Sequence, residues 1–194
     1  MTFVNSAARE LNCKIVYYGA GLGGKTTNLK WIFDQTGHQD GDKMLSLSTE
    51  NDRTLFFDFL PLDLGKVRDF KVRLHLYTVP GQASYQASRK LILRGVDGVV
   101  FVADSAAGRL EANVEAIEDL QQNLREVNAD FLRLPYVLQL NKRDLPDALP
   151  AAEMKSLLVR KNEPVFEAVA NQGVGVIETL KGVGRLALAK IKNG

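Results

Sequence analysis

Lys14-Ile15-Val16-Tyr17-Tyr18-Gly19-Ala20-Gly21-Leu22-Gly23-Gly24-Lys25-Thr26 is the stretch that decides the fold. A short apolar strand stops at Gly19, and Gly19 to Thr26 fits the spacing G-x-x-x-x-G-K-[ST]. Glycines let backbone N–H groups close around phosphate oxygens, because no side chain blocks the approach and unusual dihedrals are cheap. The helix predicted over Thr26 to Phe33 points its positive N-terminus at the anion. Lys25 then reaches the β and γ phosphates and the Thr26 hydroxyl ligates Mg²⁺. Gly19, Gly21, Leu22, Gly23, Gly24 and Thr27 complete the expected phosphate wrap.

Outward from this loop the pattern is one of strands and helices. Thr54 to Leu62 alternates, with Leu55, Phe57 and Phe59 on one face, and Lys71 to Val79 alternates with Val72, Leu74 and Leu76. Asp63 to Asp69, with Gly65, reads as the turn between them, so the pair is an antiparallel hairpin. Ser88 to Leu93 reads as a short helix. Gly98 to Ala103 is apolar throughout, as in a parallel strand buried on both faces. Glu111 to Val127 carries Val114, Ile117, Leu120, Leu124 and Val127 at helical spacing. Tyr136 to Leu140 and Pro164 to Ala170 read as strands, and Ala151 to Val159 and Val176 to Ile191 as helices. Strands alternating with helices imply a parallel sheet with right-handed crossovers. The expected class is α/β: a three-layer phosphate-loop fold with a mostly parallel six-stranded sheet and one antiparallel edge hairpin.

Composition narrows the field. The 194 residues are 45% apolar and 25% charged, an ordinary globular balance. No repeat or long linker divides them, so one domain over 1–194 is expected. Twenty-five Lys and Arg against 23 Asp and Glu leave +2, too little to suggest a nucleic-acid partner. One cysteine, Cys13, and two histidines, His38 and His75, exclude a disulfide framework and a His/Cys metal cluster. No apolar run approaches the ~18 residues of a membrane span, and neither a signal peptide nor a lipidation motif is legible. The expectation is a cytoplasmic protein with no lipid anchor.

A second motif follows the strand Tyr136 to Leu140: Asn141-Lys142-Arg143-Asp144. A carboxylate there accepts both N1–H and the exocyclic N2 amine of guanine, whereas adenine has no N1–H to offer. Buried polar pairing discriminates strongly, because the wrong base leaves groups unsatisfied. Asp144 is therefore the specificity residue, Asn141 braces the loop and touches the base, and the stem of Lys142 lies on the ring. Ala170 adds a backbone N–H. The position suits a ligand, since open α/β sheets bind at the carboxyl ends of their strands.

These two motifs, with Pro80-Gly81-Gln82 between them, resemble the Ras-like small GTPases over nearly the whole chain. Within that superfamily the segments Lys14–Trp31, Arg53–Asp63, Leu76–Gln82, Ala87–Ser105 and Gln139–Pro150 are most similar to the bacterial MglA-type switches of polarity and gliding motility. The resemblance implies a GTP/GDP switch with Mg²⁺ that hydrolyses GTP slowly alone. It implies a roadblock-type homodimer of the MglB kind as accelerating partner, downstream polarity effectors, a chain monomeric by itself, and recruitment to a cell pole when GTP-bound.

Hydrolysis needs a positioned water, a second Mg²⁺ ligand and positive charge on the transition state. Gln82, after the Pro80-Gly81 turn, is assigned the water by family likeness, with Gly81 beside the phosphates. Thr54 and Thr49 are competing candidates for the second ligand, and spacing does not choose between them; Thr54 is carried forward. Arg53 adjoins Thr54, and by resemblance serves as an arginine finger in cis, a device worth about 10³–10⁵ in rate. One departure matters: Thr78-Val79-Pro80-Gly81 has Thr where Ras-like proteins have Asp, so a charge near the metal is missing. That motivates an alternative, a nucleotide-binding module with negligible hydrolysis; an ATP-using phosphate-loop enzyme is a third. By resemblance, the hairpin Thr54 to Val79 shifts register between nucleotide states.

Overall fold

The computed structural model describes residues 3–5, 9–36, 44–48, 54–67, 69–81 and 85–193. Its strands are β1 (Phe3–Asn5), β2 (Glu10–Tyr18), β3 (Leu45–Ser48), β4 (Thr54–Val67), β5 (Phe70–Thr78), β6 (Gly98–Asp104), β7 (Tyr136–Asn141) and β8 (Val165–Glu167). Its helices are α1 (Lys25–Gln35), α2 (Gln86–Leu93), α3 (Leu110–Glu126), α4 (Ala151–Leu158) and α5 (Val176–Asn193). The strands lie in the order β3-β4-β5-β2-β6-β7-β8. The pairs β5·β2, β2·β6, β6·β7 and β7·β8 are parallel, and β4·β5 is the antiparallel hairpin. The six expected strands are therefore all present. The two short additions, β1 on the first half of β2 and β3 on β4, are antiparallel and had no signature in the sequence.

Alternation along each strand divides the apolar residues between two cores. Val16, Tyr18, Val99, Phe101, Tyr136 and Leu138 pack with α2, α3 and α4, while Ile15, Tyr17, Val100, Val102 and Val137 pack with α1 and α5. A sheet covered on both faces explains why β6 and β7 are buried at every position. Cys13 lies inside β2 rather than before it, fully buried, and burial pushes its thiol up to about 12. Trp31 packs from α1 against Gly173, where an added Cβ would come within 1.9 Å of the indole.

The hairpin departs from its expected form. β4 runs on to Val67 through a bulge, two residues (Leu64 and Gly65) standing opposite Val72 alone. Gly65 adopts φ 74° there, and its N–H donates to Asp63 Oδ1 at 2.8 Å. The last pair of the hairpin is Val67 with Phe70, so the two strands meet beyond the bulge rather than at it. The inward face of β4 carries Asp58, Leu60 and Leu62, so Phe57 and Phe59 lie on the half-covered opposite face, where Phe59 stacks on His75. That face lies at the edge where no helix covers it fully; alternation reveals two faces but not which one meets α1 and α5. His75 is further held by Asn12, 3.0 Å from its Nε2. Lys181, Arg185 and Lys190 are on the exposed face of α5.

A buried polar lattice joins the layers. Asn28 and Gln139 exchange hydrogen bonds of 2.9 and 3.0 Å, Gln139 Nε2 also donates to Thr179 Oγ1 at 3.0 Å, and Thr179 donates to Gly175 O at 2.6 Å. This ties α1 and α5 to β7. Removing one member leaves buried partners unsatisfied, at about 1–3 kcal/mol each. Gln139→Leu is expected to lower unfolding free energy by at least that amount in urea titration. A variant within 0.5 kcal/mol of the parent, roughly the noise of such titrations, counts against the lattice.

Candidate functional site

The loop between β2 and α1 forms a closed cradle. Gly23 N–H turns back onto Ala20 O at 3.3 Å, Leu22 takes φ 63° at the exposed apex, and Gly24 takes φ 98° just before the helix. Only glycine fits at 24, since a Cβ would come within 2.2 Å of Asn141 Nδ2. Lys25 is buried, and its ammonium donates to Gly19 O at 2.9 Å and Ala20 O at 2.8 Å. Burial pulls its pKa down to about 8, with Arg89 and Arg109 adding to the fall and Asp58 opposing it. An anion in the cradle would oppose that fall.

Asp58 is the residue the sequence reading missed. It lies directly opposite Thr78 across the hairpin, fully buried on the side facing α1. Its carboxylate Oδ2 accepts from Thr26 Oγ1 at 2.5 Å and from Thr78 Oγ1 at 2.7 Å, and its N–H donates to Thr78 Oγ1 at 2.8 Å. The charge expected at position 78 is thus supplied from the neighbouring strand. Among the described residues no group of three His, Cys, Asp or Glu side chains is arranged for a metal. A cation here would draw on one carboxylate, hydroxyls and ligand phosphates, all hard oxygen donors, and that set suits Mg²⁺.

Asn141, at the end of β7, joins the two motifs. Its Nδ2 donates to Gly23 O at 2.9 Å, and its Oδ1 accepts the Ala170 N–H at 3.0 Å. Ala170 therefore braces Asn141 in this structure, instead of offering its N–H to a base. Lys142, at φ 64°, places its ammonium 2.6 Å from the buried Asp104 carboxylate. Arg143 fixes the turn from behind through Glu167 and Leu149 O. Asp144 is exposed, and its carboxylate has no hydrogen-bond or ion-pair partner among the described residues.

Gly81 follows β5 and lies against the cradle. A Cβ on it would come within 2.4 Å of Gly21 N and Cα. A cavity of about 620 Å³ opens beside this contact, walled by the phosphate loop, Thr27, Arg89, Arg109 and the α3 residues Glu115 and Asp119. Arg89 Nε sits 2.9 Å from Asp119 Oδ2, and Tyr18 OH donates to the same carboxylate. Asn141, Lys142 and Asp144 are not on this wall. Thr54 is the first residue of β4, paired with Ser48. Arg53, Gln82, Thr49 and His38 lie outside the described residues.

Residues 2–185 match the model of the ADP-ribosylation factor family. The chain is 59% identical over 194 residues, all of both chains, to the mutual gliding-motility protein MglA of Myxococcus xanthus. It is 30% identical over 151 residues to ADP-ribosylation factor-like protein 2 of Drosophila melanogaster, covering 77% of this chain and 71% of that one. Over 130 residues it is 30% identical to human ADP-ribosylation factor-like protein 4C, covering 63% of this chain and 65% of that one.

Moving the carboxylate from position 78 to position 58 makes a direct test possible. Asp58→Asn is expected to raise the Mg²⁺ concentration that half-saturates nucleotide-dependent thermal stabilisation by about 10–100-fold. The double change Asp58→Ala with Thr78→Asp is expected to recover much of that loss. An unchanged Mg²⁺ midpoint in Asp58→Asn would remove the carboxylate from the metal's surroundings.

Proposed function

The chain belongs to the ADP-ribosylation factor family of small GTPases, and on that footing we propose that it is a GTP/GDP switch, one domain over 1–194, that hydrolyses GTP slowly alone and faster with a partner. The observation that carries this reading is the Asn141 side chain, which holds Gly23 O and Ala170 N–H at once. One amide thereby fixes the distance between the phosphate loop and the turn bearing Asp144. A ligand that satisfies both carries a chain of phosphates and a base at a set separation.

The residues then divide the work. Backbone N–H groups from Gly21 to Thr26 and the Lys25 ammonium hold the phosphates. Thr26 and Asp58, with Thr54, would hold Mg²⁺, which would supply positive charge to the phosphate oxygens. Asp144 reads the N1–H and N2 amine of guanine, and the Lys142 stem covers the ring. Gln82 orients the attacking water, and Arg53 places its guanidinium on the charge that builds in the transition state. Arg53 adjoins the first residue of β4, so whatever orders that strand end also sets the arginine.

The alternative of a binding module without turnover was motivated by the neutral Thr78. The Asp58 carboxylate beside Thr78 supports the hydrolytic reading instead. The partner we propose is a roadblock-type homodimer of the MglB kind, with polarity effectors downstream, and the chain is monomeric alone. Its setting is the cytoplasm, with recruitment to a cell pole in the GTP form. Among the described residues no helix is long and apolar enough to cross a membrane.

Phosphate release from GTP in Mg²⁺, measured with and without a roadblock-type dimer, tests this. Stimulated turnover is expected to fall by about 10³-fold or more in Arg53→Ala, and steeply in Gln82→Ala, with GDP affinity retained. Gly21→Val is expected to bind GTP yet turn it over slowly, because the branched side chain crowds the space beside Gly81. GTP should displace bound GDP where ATP does not. Tight GTP binding without turnover under either condition would select the binding module, and equal competition by ATP would overturn the base assignment.

A further inference from the structure

Arg109 stands on a platform that is held on every side. The peptide ends of Asp104 are clasped by Asn113, whose Oδ1 accepts Asp104 N–H at 3.0 Å and whose Nδ2 donates to Asp104 O at 2.8 Å. Asp104 Oδ1 accepts the Ala106 N–H at 3.1 Å, and the Arg109 N–H closes the short 3₁₀ turn onto Ala106 O at 2.9 Å. From this fixed base the Arg109 guanidinium reaches over the phosphate loop. Nη2 donates to Gly21 O at 2.7 Å, and Nε lies 3.7 Å from Asp104 Oδ2. That same oxygen takes the Lys142 ammonium at 2.6 Å.

From this arrangement we infer that Arg109 is a positioning residue: it pins the apex of the phosphate loop at Gly21 and, through the Asp104 carboxylate it shares with Lys142, ties that apex to the base-reading turn, so that it governs how long a nucleoside di- or triphosphate is retained. Gly21 has no side chain to hold it, and Leu22 beside it is 69% exposed. Gly81 touches the apex from one side, and Arg109 provides the hydrogen bond from another. The donor is charged and the acceptor is a main-chain carbonyl, one of the stronger classes of hydrogen bond. Loss of this bond frees the apex to swing outward, away from the phosphates beyond the first. Arg109 touches no reacting atom in this scheme and acts only through the loop it pins. The inference rests on the nucleotide-switch reading above.

The test is release of fluorescent mant-GDP from the full chain, chased by excess GDP, beside the affinity for unlabelled GMP. Arg109→Ala is expected to release mant-GDP about tenfold faster than the parent. Arg109→Lys keeps a cationic donor and recovers part of the difference. GMP has no β-phosphate to lie under the apex, so its affinity stays within twofold in both variants, whereas a general loosening of the fold weakens GMP and GDP alike. Should the alanine chain fail to fold, Arg109→Gln removes the charge and the reach while keeping a stem, and it too is expected to release faster. Release within twofold of the parent in the variants that fold overturns the inference, as does equal loss of GMP and GDP binding. A parent chain that binds no mant-GDP overturns the switch reading, and this inference falls with it; a parent that binds normally confines any failure to Arg109.

Discussion

The architecture depends on two side-chain amides one rung apart on the same face of β7. Gln139 and Asn141 are both buried and both point toward α1 and α5, where an apolar strand would present aliphatic groups. Gln139 grips Asn28 of α1 and Thr179 of α5; Asn141 grips the phosphate loop and the turn at Ala170. A buried amide is costly unless its donors and acceptors are met. Here most are met by different elements, so neither element can shift without stranding a polar group. The strand that carries the turn from Asn141 to Asp144 is thus also the strand that sets where the Gly19–Thr26 loop stands.

The second organising feature is a relocated charge. Asp58 and Thr78 face each other on adjacent strands, and the shared hydroxyl contacts make them one unit with Thr26. The distances show a carboxylate oxygen at the centre of two hydroxyl donors, beside the buried Lys25 whose pKa it helps to hold up. The carboxylate absent from position 78 thus stands one strand away, against the Thr78 and Thr26 hydroxyls.

The parts of the site that were legible in the sequence are those built from consecutive residues. Gly19 to Thr26 and Asn141 to Asp144 are each runs of consecutive residues, so their spacing is visible in the sequence. The parallel strands were legible because burial on both faces leaves uninterrupted runs such as Val99 to Ala103. Asp58 was hidden because its meaning lies in cross-strand register, and register passed through a bulge at Leu64-Gly65 that was read as the turn. Alternation on β4 separates the two faces but does not say which is inward; the strand lies at the margin of the helix layer, where the aromatic residues Phe57 and Phe59 remain half covered. Arg109 and Asp104 had no motif, since their roles come from a crossing of loops 88 residues apart in sequence. The strands β1 and β3 add at ends and edges, where pairing needs little side-chain pattern.

Placing the carboxylate on β4 makes the charge beside Thr26 depend on how β4 is registered against β5. Antiparallel strands keep their inward faces only if they slip by two residues at a time. A slip of that size along β5 sets Phe56 or Leu60 opposite Thr78 in place of Asp58. The loop would then lose a whole negative charge and gain an apolar side chain in one discrete movement. A carboxylate on β5 would stay with its own strand through the same movement. On this geometry a two-residue slip would translate directly into the loss of a negative charge beside Thr26.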